Sequence, residues 1–258
     1  MQVETFSTLQ EASGAVHDRA QFLAGGTILM RAVTYGDQSF DTIVRAQQVD
    51  RSIGSDAGGL RIGAGATMAD VLASRDVDFL HPVARAIGGP QVRNMGTVGG
   101  NIFARNPYGD FAVALLALDA QAVMADGRTM PLGDLLATRE RPGGLVQAVT
   151  IARPESGTFR FRKVSRVKPK GVSVMSIAAH LKRGDPRVVF GNMAPTPTRS
   201  VGAERALANG TDAGAIAAAC SACLEGLAPA DDPLATEWYR REVAPVHLKR
   251  LLEEGARY

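Results

Sequence analysis

Apolar residues come in short runs closed by glycine, proline or aspartate, and their period changes along the chain. Within residues 1–53, SGAVHDRAQ predicts a short helix and FDTIVRAQ a strand with its turn. Between them FLAGGT carries an apolar segment straight into two glycines and a threonine, so the backbone turns where the strand ends and N–H groups become available. Residues 54–153 open on GGLRIGAGATMADVLAS, which predicts a strand, a small-residue turn and a helix with Thr67 as N-cap and Asp70 at its third position. HPVARAIGG follows as a helix closed by glycines, then the segment PQVRNMGTVGGNIF. DFAVALLALDAQAVMADGRTMPL predicts an apolar core helix around Leu115, Leu116 and Leu118, then a strand and a hairpin at Asp126 and Gly127.

Residues 154–258 read differently. FRFRKVS, VSVMSIAAHL and RVVFGNM predict three strands, after which AERALA, GAIAAACSACLEGL and ATEWYRREVAPVHLKRLLEE predict helices. Strands in a run followed by helices in a run are the α+β pattern, here joined to α/β elements upstream. Pro154 to Gly157 interrupts both neighbouring patterns and marks a domain boundary, giving segments 1–53, 54–153 and 154–258.

Composition narrows the class. With 258 residues, 45% hydrophobic and 21% charged, the chain is neither disordered nor collagen-like nor a disulfide scaffold. Aromatics are only 5%, so aliphatic side chains must carry the packing. A net charge of +3 gives no argument for a nucleic-acid or membrane partner. No apolar stretch is long enough to span a bilayer and MQVETFSTLQEA lacks the features of a signal peptide, so a soluble, cytoplasmic protein is expected. Cys220 and Cys223 sit on one face of a predicted helix, and His17, His81, His180 and His247 have no ligand spacing. The cysteines are therefore read as small buried residues, and the chain alone cannot ligate an iron–sulfur cluster through cysteine. The basic run Arg160, Arg162, Lys163, Arg166, Lys168 and Lys170, interleaved with Phe159 and Phe161, could form an RNA-stacking surface. A strand with one solvated or subunit-facing side is the preferred reading.

Two glycine-rich turns carry the candidate chemistry: Ala24, Gly25, Gly26, Thr27 and, some seventy residues on, Gly96, Thr97, Val98, Gly99, Gly100, Asn101. Adjacent glycines let successive N–H groups point into one concavity and let an anion approach the main chain, so two such turns suggest a nucleotide clamped between subdomains. Gly63 to Met68 begins like a dinucleotide fingerprint but has Met68 in place of the last glycine or alanine, and a close-packed strand-to-helix turn is preferred. Walker A, nucleophile-elbow and zincin motifs are absent, which removes the usual supports for hydrolysis and phosphoryl transfer.

Taken in order, LAGGTILM, IGGPQVRNMGTVGGNIFARNPYGD, FRFRKVSR and VVFGNMAPTPTRS with the terminal helix closely resemble the FAD-binding medium subunit of molybdenum hydroxylases. These are enzymes of the carbon monoxide, xanthine and nicotine or aldehyde dehydrogenase type. The resemblance implies a two-subdomain flavin fold of the vanillyl-alcohol oxidase type, then a C-terminal three-stranded sheet with a helical bundle. It implies a pyrophosphate cradle at Leu23, Ala24, Gly25, Gly26, Thr27, Ile28, Leu29 and Met30, and a second FAD loop at Thr97, Val98, Gly99, Gly100 and Asn101. Ile87 matches a position beside the cofactor, Asp110 the acidic residue on the FAD sugar hydroxyls, and Val146 and Lys163 positions near the isoalloxazine. By the same resemblance a large partner bears molybdopterin, a small partner relays electrons through [2Fe–2S] clusters, and three-subunit units pair. The electrons leave for NAD, oxygen or a quinone. A stand-alone flavoenzyme with its own substrate site is the alternative.

Overall fold

The structure, a computed structural model, describes residues 1–56, 59–138, 144–167 and 171–253. Gly58, Lys168, Lys170 and Glu254, which close or extend predicted segments, lie outside the described residues. The chain divides into two compact units, Met1–Ala104 with Ala120–Ala152, and Arg105–Asp119 with Arg153–Tyr258.

The first unit begins with β1 (Gln2–Thr8), α1 (Leu9–Ala15), β2 (Ala20–Phe22), α2 (Leu29–Thr34) and β3 (Thr42–Gln48). The three strands form a parallel sheet in the order β1-β3-β2. Helix α1 starts upstream of the predicted SGAVHDRAQ helix, because Thr8 and Glu11 form a capping box, and ends at Ala15, so only the first three residues of that segment are helical and Ala20 and Gln21 lie in β2. The Glu11 amide donates to Thr8 Oγ1 (3.2 Å) and the Thr8 amide to Glu11 Oε2 (3.1 Å). Leu9, Ala12, Ala20, Val44 and Leu145 make the small core beneath it.

β4 (Ile53–Asp56), β5 (Gly59–Gly63), α3 (Met68–Ala73), α4 (His81–Ala86), α5 (Pro90–Met95) and α6 (Val98–Phe103) follow. The chain then leaves for α7 (Asp110–Ala117) of the second unit and returns as β6 (Gln121–Met124), β7 (Thr129–Pro131), α8 (Leu132–Ala137) and β8 (Val146–Ile151). These strands close an antiparallel sheet in the order β4-β5-β8-β6-β7. The capping box at Thr67 and Asp70 is present as expected, and the hairpin turns at Asp126 and Gly127.

The second unit holds β9 (Phe159–Val164), β10 (Met175–His180), β11 (Arg187–Gly191) and the two-residue β12 (Thr198–Arg199) in an antiparallel sheet ordered β12-β11-β10-β9. Helices α9 (Val201–Leu207), α10 (Ala213–Ala222) and α11 (Glu237–Glu253) complete it. Strand alternation divides the two faces. Ile177, Ala179, Val188 and Phe190 pack with Leu207, Ile216, Ala219, Cys223 and Leu248 of the helical side, while Ala178 and Val189 pack with Val113 and Ala117 of α7. Among the described residues no helix is long and apolar enough to cross a membrane.

Candidate functional site

The first glycine turn is built by the end of the parallel sheet. Leu23 still pairs with it, its amide donating to Val44 O at 2.8 Å, and the chain then departs. The amides of Ala24, Gly25, Gly26, Thr27 and Ile28 donate to nothing among the described residues. The next bond in sequence is Met30 N to Gly26 O at 2.9 Å, where α2 begins. Gly26 has φ +71°, a left-handed conformation that glycine adopts without strain. Gly25 is needed for a different reason: a Cβ there would lie 1.8 Å from Met95 O, so this loop is seated directly on the Met95–Gly96 peptide. Neither α2 nor α5 has a buried residue, and Ile28, Met30 and Met95 are exposed around the seat.

The second glycine turn is brought against the first but is wired differently. Thr97 bridges Thr67, Met68 N donates to Gly96 O (2.9 Å), and Val98 N and Gly99 N donate to Ala66 O and Ala64 O (both 2.8 Å). Gly100 N then donates to Thr97 Oγ1 (3.1 Å) and Asn101 N to Thr97 O (3.0 Å). These four amides are committed inside the protein, so from Val98 to Asn101 the turn has no free main-chain donor, and its glycines are set by close packing. A Cβ on Gly100 would stand 3.6 Å from that of Ala24, and one on Gly99 would stand 3.0 Å from that of Ala64. The turn Gly63–Met68 is the partner that fixes this loop. Cβ atoms on Gly63 and Gly65 would meet Asp50 O at 2.4 and 2.9 Å, the close packing that explains its glycines without a dinucleotide.

Ile87 follows α4 and is half-buried; next to it Gly88 has φ +51° and its carbonyl accepts from Arg93 Nη1 at 2.7 Å. Val146 opens β8, where it is buried and pairs with Met124 at an irregular register.

In the second unit Asp110 and Lys163, more than fifty positions apart in sequence, meet. Lys163 Nζ lies 3.0 Å from Asp110 Oδ2, and the two side chains are 11% and 6% exposed. The sequence reading did not include Ser173, whose hydroxyl lies 2.6 and 2.8 Å from the two Asp110 carboxylate oxygens. Asn192 Nδ2 donates to Ser173 O at 2.7 Å from a residue with φ +63°. An asparagine after a strand, in VVFGNM, is the signal that could have marked this turn. Burial of a carboxylate requires such partners, and here an ammonium and a hydroxyl supply them.

The other singled-out residues have structural positions. In β9, Arg160 Nη1 donates to Leu252 O at the end of α11, while Phe159 and Phe161 on the opposite face pack against the α7 side. The aromatics are therefore not a stacking surface for RNA. Cys223 is buried and its thiol is pushed up to about 12, chiefly by burial; Cys220 is also raised by burial. No group of three or more His, Cys, Asp or Glu placed to hold a metal occurs among the described residues.

Comparison with known proteins gives matches over most of the chain. A family model described as the FAD binding domain in molybdopterin dehydrogenase matches residues 1–154. One described as the CO dehydrogenase flavoprotein C-terminal domain matches residues 163–255. The glyceraldehyde dehydrogenase medium chain of Sulfolobus acidocaldarius is 26% identical, over 96% of this chain and 96% of its own. The carbon monoxide dehydrogenase medium chain of Hydrogenophaga pseudoflava is 26% identical, over 93% and 90%. A solved structure of carbon monoxide dehydrogenase from Hydrogenophaga pseudoflava, lacking the Mo-pyranopterin moiety, superposes with a TM-score of 0.85 at 25% identity. It covers 98% of this chain and 96% of that one.

Proposed function

Since the chain belongs to the FAD-binding medium subunits of the molybdopterin dehydrogenases, we propose that it is the electron-carrying component of a three-part molybdenum hydroxylase. Electrons enter from a small [2Fe–2S] partner, after a large molybdopterin-bearing partner has oxidised an organic substrate, and leave to NAD, oxygen or a quinone. FAD, when bound, supplies the exchange between one-electron and two-electron chemistry that such a junction needs.

The observation that carries this reading is the run of five successive unpartnered amides from Ala24 to Ile28. Amides turned away from their own chain favour an anion, and a diphosphate can be held by them without a lysine. In this assignment Leu23 anchors the turn, Gly25 lets it sit flat on Met95–Gly96, Thr27 adds a hydroxyl, and Leu29 and Met30 lead away into α2. Thr97 to Asn101 contribute surface: Thr97 caps its own turn, and Gly99 and Gly100 keep side chains out of the way. Asp110 would accept from sugar hydroxyls with the carboxylate capacity that Ser173 and Lys163 leave. Ile87 and Val146 would give apolar contact, and Lys163 a cation that favours negative charge on the reduced cofactor.

An absorption spectrum of the purified chain tests this, with the released cofactor identified by mass and the sample assayed for iron. One FAD per chain without iron is expected. No bound flavin and no uptake of added FAD would overturn it, and turnover of an organic substrate by the chain alone would favour a self-sufficient enzyme.

A further inference from the structure

Ser173 lies just before β10 and is fully buried. Its main chain and its side chain are fixed by different elements: Asn192, just after β11, donates to its carbonyl, and its hydroxyl lies within hydrogen-bond distance of both oxygens of Asp110 at the first turn of α7. A hydroxyl within reach of both carboxylate oxygens anchors the end of the carboxylate along its Cβ–Cγ axis. Lys163 Nζ lies 3.0 Å from Oδ2, so the hydroxyl and the ammonium together hold both its position and its rotation.

The sheet beneath explains why the arrangement is tight. Lys163, Ser176 and Gly191 occupy one cross-strand row of β9, β10 and β11. A Cβ on Gly191 would meet Val113 of α7 at 2.7 Å and the Ser176 hydroxyl at 2.5 Å, so the glycine admits the helix that carries Asp110. Ser176 Oγ is buried with no hydrogen-bond partner. Of the two buried serines three residues apart, Ser173 before the strand and Ser176 in the row, only Ser173 is turned onto the carboxylate.

We propose that Ser173 is a positioning residue for the flavin site, acting through Asp110: its hydroxyl, together with the Lys163 ammonium, holds the carboxylate so that a free oxygen edge is aimed at a polyol hydroxyl of the cofactor. The inference rests on the assignment of Asp110 to FAD and deepens it.

A double-mutant cycle read as FAD affinity tests it. The full-length chain is stripped of flavin and titrated with FAD, following flavin fluorescence, as wild type, Ser173→Ala, Asp110→Ala and the double variant, with Ser176→Ala as control. Ser173→Ala should weaken FAD about tenfold, on the scale of one hydrogen bond to a charged group. It should add nothing in the Asp110→Ala background, and Ser176→Ala should leave affinity unchanged. Should Ser173→Ala not fold, Ser173→Cys, of similar size but a poor donor, takes its place with the same expected sign. A loss equal in both backgrounds, or no loss in either, would overturn the positioning role while leaving the flavin reading intact. Wild-type chain that takes up no FAD would overturn both.

Discussion

At the residue scale, the two glycines of the first turn are required for different physical reasons, and the difference can be measured. Gly25 has no room, since a Cβ would sit 1.8 Å from a backbone oxygen that cannot rotate away, whereas at Gly26 a Cβ would meet only the side chains of Leu23 and Met30, at 3.2 Å, and the constraint is a left-handed φ. Gly25→Ala must shift the Met95–Gly96 peptide or its own loop, at about 1–3 kcal/mol for a forced backbone movement. We expect it to lower the unfolding midpoint and to abolish stoichiometric FAD uptake. Gly54→Ala, where nothing lies within 4 Å of the new methyl, should change neither. Calorimetry and cofactor content check both variants; normal uptake by Gly25→Ala would remove the seat from the argument. The glycine pairs were legible in the sequence because doublets are rare outside turns. Which of their amides stay unpaired was not, because that depends on Ala64 and Ala66 accepting from Val98 and Gly99 across more than thirty positions. Ser173 was equally invisible, since a serine in GVSVMS differs from its neighbour Ser176 only by what faces it.

At the element scale, the helical side of the second unit is tied together by one buried guanidinium. Arg240 of α11 is 1% exposed and donates to Val174 O (3.0 Å), Ala230 O (2.6 Å), Ala235 O (2.8 Å) and Asp232 Oδ2 (2.7 Å). Removing it takes a donor from three carbonyls, of which Ala235 O keeps the Asp232 amide, and from the partly exposed Asp232, which keeps the amides of Leu234 and Ala235; each buried acceptor left without a donor costs about 1–3 kcal/mol. Arg240→Leu should therefore lower the thermal midpoint by about 10 °C in a chain of this size. The pH dependence follows from Asp232. Burial alone would raise its carboxyl, but the amides of Ala235 and Leu234 and the Arg240 guanidinium together hold it below its ordinary 3.8. A carboxyl lowered in the folded state contributes stability above its unfolded value and loses it as pH falls through the folded one. Urea unfolding should thus show wild type more stable than Asp232→Asn at neutral pH, with the gap closing below about pH 4. A gap that widens in acid would reverse the sign of the argument.

Strands and helices bounded by proline or glycine were readable at this scale, as in β9 to β11 and α9 to α11. Elements set by a single cap were not. Thr8 moves α1 forward, and Thr97 restarts the helix after Gly96, dividing PQVRNMGTVGGNIF into α5 and α6. β8 escaped because VQAVTI is apolar on both faces and has no alternation to read, although it lies at the centre of its sheet.

At the scale of the whole molecule, sequence families and structural units divide the chain differently. The first family match runs through residue 154, whereas Arg105–Asp119 belongs to the second compact unit. Helix α7 explains the discrepancy: Val113 and Ala117 are buried with Ala178 and Val189 of the C-terminal sheet, and Asp110 has its ion-pair partner there. The sequence reading kept this helix in the 54–153 segment because its apolar run leads straight into β6, with only the positive φ of Asp119 between them. A fragment ending at residue 152 would expose that apolar face and leave Asp110 without Lys163. A fragment starting at 153 would leave the matching face of the sheet uncovered. Burial of four apolar side chains, at about 1.5–3 kcal/mol for a larger one and less for alanine, is a substantial part of the 5–15 kcal/mol that holds an ordinary domain folded. We therefore expect residues 1–152 and 153–258, expressed separately, each to lack a cooperative thermal transition, and the pair mixed together to regain one. A chimera carrying residues 105–119 fused through a flexible linker ahead of 153–258 should fold alone. Calorimetry of the three proteins decides it: a sharp transition in the unassisted 153–258 fragment would show that α7 is dispensable to the unit that surrounds it.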